Sequence, residues 1–111
     1  MDRLREKPLP FIQKCVRRKR VYWTYHVNMR MVQRGIPRKY ITESVDDFEV
    51  IEAYPDDKYL PSYLIYSKYE DSVFHVLFAV DYEEDNVRVI TAYYPDKAEW
   101  GENLKTRRDT Q

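Results

Sequence analysis

Three side chains suited to phosphate binding recur at every fourth position early in the chain: His26, Arg30 and Arg34. On an α-helix this spacing turns each residue only about 40° from the last, so all three share one face. A guanidinium donates two parallel hydrogen bonds to phosphate oxygens, and histidine can transfer a proton near neutral pH. The stripe therefore predicts a phosphate site, although such stripes are also often solvated faces or pair with acids such as Asp46 and Asp47.

A second histidine, His75, interrupts an otherwise apolar strand, where a polar group needs a partner or a purpose. Both a structural role and a proton-transfer role fit this position. The chain also contains eleven tyrosines. Those on or beside strands, Tyr54 and Tyr93 among them, can stack on nucleobases or pack at the core with the hydroxyl reaching water.

Metal and cofactor chemistry have little support in the sequence. Cys15 is the only cysteine and there are two histidines, so neither a disulfide nor a cysteine-rich or multi-histidine metal centre is predicted. Cys15 is expected to be a buried apolar residue on a helix. Glycine-rich phosphate loops and the Gly-x-Ser-x-Gly elbow are absent from the sequence, so we predict no cofactor, no nucleotide hydrolysis and no serine hydrolysis.

The zero net charge conceals a strong asymmetry along the chain. Residues 1–40 hold twelve Lys/Arg against two acids, a formal charge of +10, and residues 41–111 carry −10. This asymmetry favours a polyanionic partner such as RNA, although two oppositely charged layers of one fold, or contact with an acidic protein, would also produce it. The basic residues predicted to contact RNA surround the end of the first helix and the start of the third: Arg17, Arg18, Lys19, Arg20 and Arg38.

The elements that must position these residues begin with three helices between residues 8 and 47. An amphipathic segment over 11–21 predicts the first, which the β-branched and aromatic residues at 21–23 should end. The second begins after Thr24 as N-cap and ends at Gly35, a left-handed cap. The third starts near Pro37 and continues to about Asp47.

The period of the apolar residues then changes from 3.6 to 2, which predicts strands over 49–54, 62–69, 73–80 and 87–93. Both faces of the third of these are apolar, so we place it centrally in the sheet. The expected fold is α+β, with two or three N-terminal helices packed on a four-stranded, mainly antiparallel sheet spanning 49–94 and a tail over 95–111.

A chain of 111 residues fits a single domain. It contains no apolar run long enough to span a bilayer and no signal-peptide core, so a cytoplasmic protein with no membrane contact is expected. The sequence predicts no particular oligomeric state.

Several blocks, in order, resemble a bacterial family of unknown function. They are the pattern H-x-x-x-R-x-x-x-R-G-I beginning at His26, then 50–57, 61–64, His75-Val76 and 89–96, with Trp100 beyond. The family in turn resembles toxins of the RelE and BrnT type, and members of the family often accompany an antitoxin with a YgiT-type zinc finger. Pro37 departs from the pattern, where the family tends to place a Ser or a similar cap.

The resemblance implies a RelE-like fold and metal-independent cleavage of RNA. Such an enzyme need only deprotonate the 2′-hydroxyl, neutralise the phosphate and protonate the leaving 5′-oxygen. In this chain Arg30 and Arg34 would hold the phosphate, His26 or His75 would transfer protons, and Tyr93 would assist or stack on a base. A non-catalytic nucleic-acid-binding module and a protein-interaction domain remain the alternatives.

Overall fold

A computed structural model describes residues 7–108. Three helices, one short strand and a four-strand meander follow one another along the chain. They are α1 Pro8–Arg17, β1 Val21–Trp23, α2 Tyr25–Arg34, α3 Arg38–Glu43, a 3-10 turn Val45–Asp47, β2 Glu49–Tyr54, β3 Ser62–Tyr69, β4 Ser72–Asp81 and β5 Asn86–Tyr93.

The strands form one mixed sheet in the order β1-β5-β4-β3-β2. Neighbouring strands from β2 to β5 are antiparallel, but β1 pairs in parallel with β5, from Val21 opposite Val87 to Trp23 opposite Val89. The α+β class is confirmed, whereas the prediction of four strands was wrong. The first helix ends before it reaches Val21–Trp23, and the β-branched and aromatic side chains of these three residues suit a strand, which adds an edge to the sheet.

The first and third helices are shorter than the sequence predicts. α1 ends at Arg17 because the chain turns at Lys19, whose φ is 61°, in the left-handed region. The third segment is split: α3 stops before Ser44, whose hydroxyl lies 2.7 Å from that of Ser67 in β3, and the 3-10 turn follows. Both serines are buried, so this hydrogen bond satisfies two polar groups inside the fold.

α2 has the boundaries that its caps predict. The Thr24 hydroxyl accepts a hydrogen bond from the amide of Val27 at 3.1 Å, and Gly35 has φ 72°. Val27 and Met31 are buried against the sheet. The stripe that starts at His26 therefore lies beside the buried face of a firmly capped helix.

The main core lies between the helices and one face of the sheet. Phe74, Val76, Phe78 and Val80 alternate along β4 into this core, and β4 is the central strand, as predicted. The opposite face of the sheet is covered over part of its area by the C-terminal segment, residues 100–108, which carries the buried Trp100. Among the described residues, no helix has the length and apolar character needed to cross a membrane.

Candidate functional site

The predicted stripe lines a groove beside the edge of the sheet. His26, Arg30 and Arg34 form one wall, and Ile90, Thr91 and Ala92 of β5 form the other, around a volume of about 270 Å³. β1 ends opposite Val89, and beyond that point the groove lies between β5 and α2, which contact each other. We call it the α2–β5 groove.

Arg34 fixes the width of this groove. Its Nη1 donates to the carbonyl oxygen of Ala92 at 2.8 Å and to the Thr91 hydroxyl at 3.3 Å. The carbonyl belongs to the part of the β5 edge that β1 does not reach. The Nε and Nη2 hydrogens, which form the fork that binds a phosphate bidentately, are not used in these bonds.

His26 and Arg30 are exposed. Within residues 7–108 no acidic group lies within ion-pair distance of His26, Arg30 or Arg34, and no acid lines the groove. Uncompensated guanidinium groups beside exposed backbone give a positive potential that favours an anion.

His75 and Tyr93 lie together, but on the other face of the sheet and outside the groove. His75 is fully buried: its Nε2 lies 2.7 Å from the carbonyl oxygen of Leu104, and its Nδ1 lies 3.2 Å from the Tyr93 hydroxyl. Because a carbonyl only accepts, Nε2 carries the hydrogen and Nδ1 accepts from the hydroxyl. Trp100 packs edge-on against the imidazole at 4.5 Å between ring centroids.

Burial also sets how these two groups titrate. Desolvation lowers the pKa of His75, against the opposing effect of the hydrogen bond to Leu104, and desolvation raises the pKa of Tyr93. Both side chains are therefore held in their neutral forms near neutral pH. The arrangement is that of a satisfied core histidine, the structural alternative for this position.

Of the basic residues predicted to bind RNA, some contact acidic residues and others are exposed to solvent. Arg17 pairs with Asp46, and Arg20 donates to the backbone of Glu84 at 2.9 Å. These contacts are exposed, so they contribute little to stability, although they show that the two charge layers do touch. Arg18 and Lys19 are exposed.

Arg38 lies over the ring of Trp23 at 4.7 Å and donates to the Asn28 side chain at 3.0 Å. With Arg17 and Lys19 it rims a separate hollow of about 530 Å³, lined in part by Trp23. This hollow lies on the helix side of β1 and has no lining residue in common with the α2–β5 groove.

Tyr54 belongs to a polar cluster that the sequence did not suggest. Its hydroxyl donates to Glu52, which also accepts from Arg107 Nε at 2.6 Å, and the Arg107 guanidinium lies 4.6 Å from the ring of Trp100. Burial opposes ionisation of Glu52, but the hydrogen bonds from Arg107 and Tyr54 outweigh it and lower the pKa of Glu52. The cluster fastens the C-terminal segment to the sheet.

The sequence also did not indicate that the backbone of β5 forms half of the groove. The local signal is Thr91, a polar residue between Ile90 and Ala92 and opposite the apolar Leu77 of β4. Among the described residues, no group of three or more His, Cys, Asp or Glu side chains is placed to hold a metal ion.

Comparison with known proteins identifies a protein family that matches most of this chain. The model of a domain of unknown function, DUF4258, matches residues 23–94. The match runs from the end of β1 to just past β5, so it covers α2, the groove and the four-strand meander. Neither the curated proteins nor the solved structures gave a match. Because the matched segment is well over half of its length, the chain belongs to the DUF4258 family.

Proposed function

We propose that the α2–β5 groove binds a phosphodiester of RNA and promotes its cleavage without a metal ion, as in toxins of the RelE and BrnT type. The observation that supports this most directly is the convergence of His26, Arg30 and Arg34 on one accessible hollow whose described lining contains no acid. Arg34 is positioned by the β5 backbone and presents its free Nε–Nη2 fork, while Arg30 supplies a second guanidinium.

The chemistry requires one proton to move between two oxygens. The 2′-oxygen attacks phosphorus as His26 accepts the 2′-hydroxyl proton; the bond from phosphorus to the 5′-oxygen breaks, and the imidazolium returns the proton to that oxygen. The products are a 2′,3′-cyclic phosphate and a free 5′-hydroxyl. The two guanidinium groups stabilise the charge that builds on the phosphate oxygens in the transition state.

A second candidate function, RNA binding without cleavage, has its own supporting observation. His75, which is buried, and Tyr93, which is partly buried, lie on the opposite face, so His26 is the only imidazole in the groove. If the protein binds RNA without cleaving it, the arginines only position phosphates.

The resemblance to toxins supports a further part of the proposal: a partner antitoxin carrying a YgiT-type zinc finger. α2 exposes Tyr25, Met29 and Val32 on its surface, at a spacing that places them along one side of the helix. A partner that covered this apolar side would also cover the neighbouring groove. Co-purification of wild-type protein with the product of an adjacent gene, and its loss in Val32→Asp, would test this part.

The test of the main proposal is RNA cleavage by the purified protein in the presence of a chelator. Wild type should cut with cyclic phosphate ends, Arg30→Ala should lose both binding and cleavage, and His26→Gln should bind but not cut. Lys68→Ala removes another exposed cation, on β3, and serves as the control. Binding without any cleavage would favour the second candidate, and binding unaffected by Arg30→Ala would contradict both.

A further inference from the structure

A second hollow adjoins the α2–β5 groove on the outer face of the sheet. It has a volume of about 320 Å³, and Ile90 lines both hollows. Ile90 is the extra residue where the β4–β5 register shifts, so it has no partner in β4, and its side chain is 47 % exposed. The two hollows thus have this apolar side chain in common.

The floor and the rim of this second hollow differ in chemistry. Leu77 and Ala79 of β4 provide an apolar floor in the part of the outer face that the C-terminal segment does not cover. The loop between β2 and β3 provides Asp57, which accepts a hydrogen bond from the Ser62 hydroxyl, and Tyr59. A flat apolar surface with one acceptor at its edge suits a planar ring that carries N–H donors.

Tyr59 has the features of a residue that packs on a ligand. Its side chain is 99 % exposed, and its φ is 75°, in the left-handed region that a tyrosine rarely adopts. Leaving an aromatic ring wholly in water brings no stability to the fold, and the backbone at that position is strained. Strain of this kind is found at ligand-binding sites more often than elsewhere.

We propose that this hollow binds the nucleobase next to the phosphate held in the α2–β5 groove, and that it selects a base with an amino group. The base lies on Leu77 and Ile90, Tyr59 stacks on its outer side, and Asp57 accepts a hydrogen bond from the amino group, as acidic side chains do from cytosine N4. This inference rests on the proposed function, because the phosphate site fixes where the base falls.

The charges at the rim argue for a base over a second phosphate. Asp57 lies in the lining, and the guanidinium of Arg88 is engaged by Asp81 at 3.3 Å. An anion in this hollow would therefore meet the Asp57 carboxylate, and among the described lining residues Lys58 is the only cation outside an ion pair. A neutral ring with N–H donors meets no such repulsion.

The experiment measures binding of short 2′-O-methyl oligocytidine and oligouridine, which are the same size and are not cleaved. Wild type should prefer oligocytidine. Asp57→Asn should reduce that preference, and Tyr59→Ala should weaken binding of both by about tenfold, the order expected for one stacked base, whereas Tyr59→Phe should not. Tyr25→Ala removes a 79 % exposed tyrosine that lines neither hollow and is the control.

The outcomes separate this inference from the proposed function. Binding that Arg30→Ala weakens, but that Tyr59→Ala and Asp57→Asn leave unchanged with no base preference, would overturn the base site and retain the phosphate site. Failure of wild type to bind either oligonucleotide would overturn both.

Discussion

At the scale of single residues, Arg30 and Arg34 look equivalent in the sequence but differ in the structure. Arg30 makes no hydrogen bond or ion pair with the described residues, whereas Arg34 satisfies the Ala92 carbonyl and contacts Thr91. The stripe itself was predictable because helical spacing is a local property. The different contacts of the two arginines were not predictable, because those of Arg34 depend on the backbone of β5, far along the chain.

This difference gives a prediction about stability. Arg34→Ala should lower the free energy of unfolding by about 1 kcal/mol, the usual cost of one hydrogen bond to the backbone, and Arg30→Ala should change it by less than about 0.5 kcal/mol. Urea denaturation of the two variants measures both values. Equal losses would mean that Arg34 does not brace the groove.

His75 provides a prediction about pH. Burial lowers its pKa in the folded state below the ordinary 6.5, so the unfolded chain binds a proton first as pH falls. The neutral imidazole therefore contributes its full stability above about pH 6.5, and this contribution is lost progressively as pH falls below that value. His75→Gln keeps a donor for the Leu104 carbonyl but cannot titrate.

The measurement is the free energy of unfolding from pH 8 to pH 5 for wild type and His75→Gln. Wild type should lose more stability over the acidic half of the range, since only wild type has an imidazole at position 75 that gains a proton on unfolding. Parallel curves for the two proteins would show that His75 is not the group responsible.

At the scale of elements, the sequence predicts correctly those helices and strands whose signals lie within a few neighbouring residues. Thr24 and Gly35 mark the ends of α2 because caps act within one turn of the helix, and the four longer strands appear where the period changes. β1 was missed because three residues show no period, and its parallel pairing with β5 joins distant parts of the chain. The hollow lined by Tyr59 and Leu77 was not predicted either, because it too is formed by residues that lie far apart in the sequence.

The N-cap of α2 can be tested directly. Thr24→Ala removes the acceptor for the Val27 amide and should cost about 1 kcal/mol of stability. Because His26 lies in the first turn, fraying there should also weaken RNA binding. Thr24→Ser keeps the acceptor and should behave like wild type in both thermal denaturation and binding; a loss as large as that of the alanine variant would point to packing of the Thr24 methyl group instead.

At the scale of the whole molecule, the opposite charges of the two halves of the chain meet only in part. Lys14 and Arg20 lie near Asp85, and Arg17 pairs with Asp46, all at partly or fully exposed positions. Such pairs are screened by salt and each is worth at most about 1 kcal/mol. The cations of the groove have no such partners in the described chain.

Salt should therefore act very differently on folding and on RNA binding. Raising the salt concentration should change the free energy of unfolding little, whereas the logarithm of the RNA affinity should fall linearly with the logarithm of salt, by about 0.7 for each phosphate contacted. Arg30→Ala should reduce that slope by about one contact. Titrations at several salt concentrations provide the slope, and RNA binding that is independent of salt would refute a phosphate-based interface.

The short length of β1 also bears on self-association. Past Val89 β5 still pairs with β4, but on its other side no strand of the described chain lies beside it, and open edges of this kind are templates on which another chain can add a strand. Here the Arg34 side chain donates a hydrogen bond to the Ala92 carbonyl oxygen, so this acceptor is already used. The bulge at Ile90 also interrupts the regular pattern of backbone donors and acceptors. We therefore expect Arg34 to hinder fibril-like pairing of the sheet with another chain. Concentrated Arg34→Ala protein should aggregate, whereas Arg30→Ala protein should stay monodisperse under the same conditions.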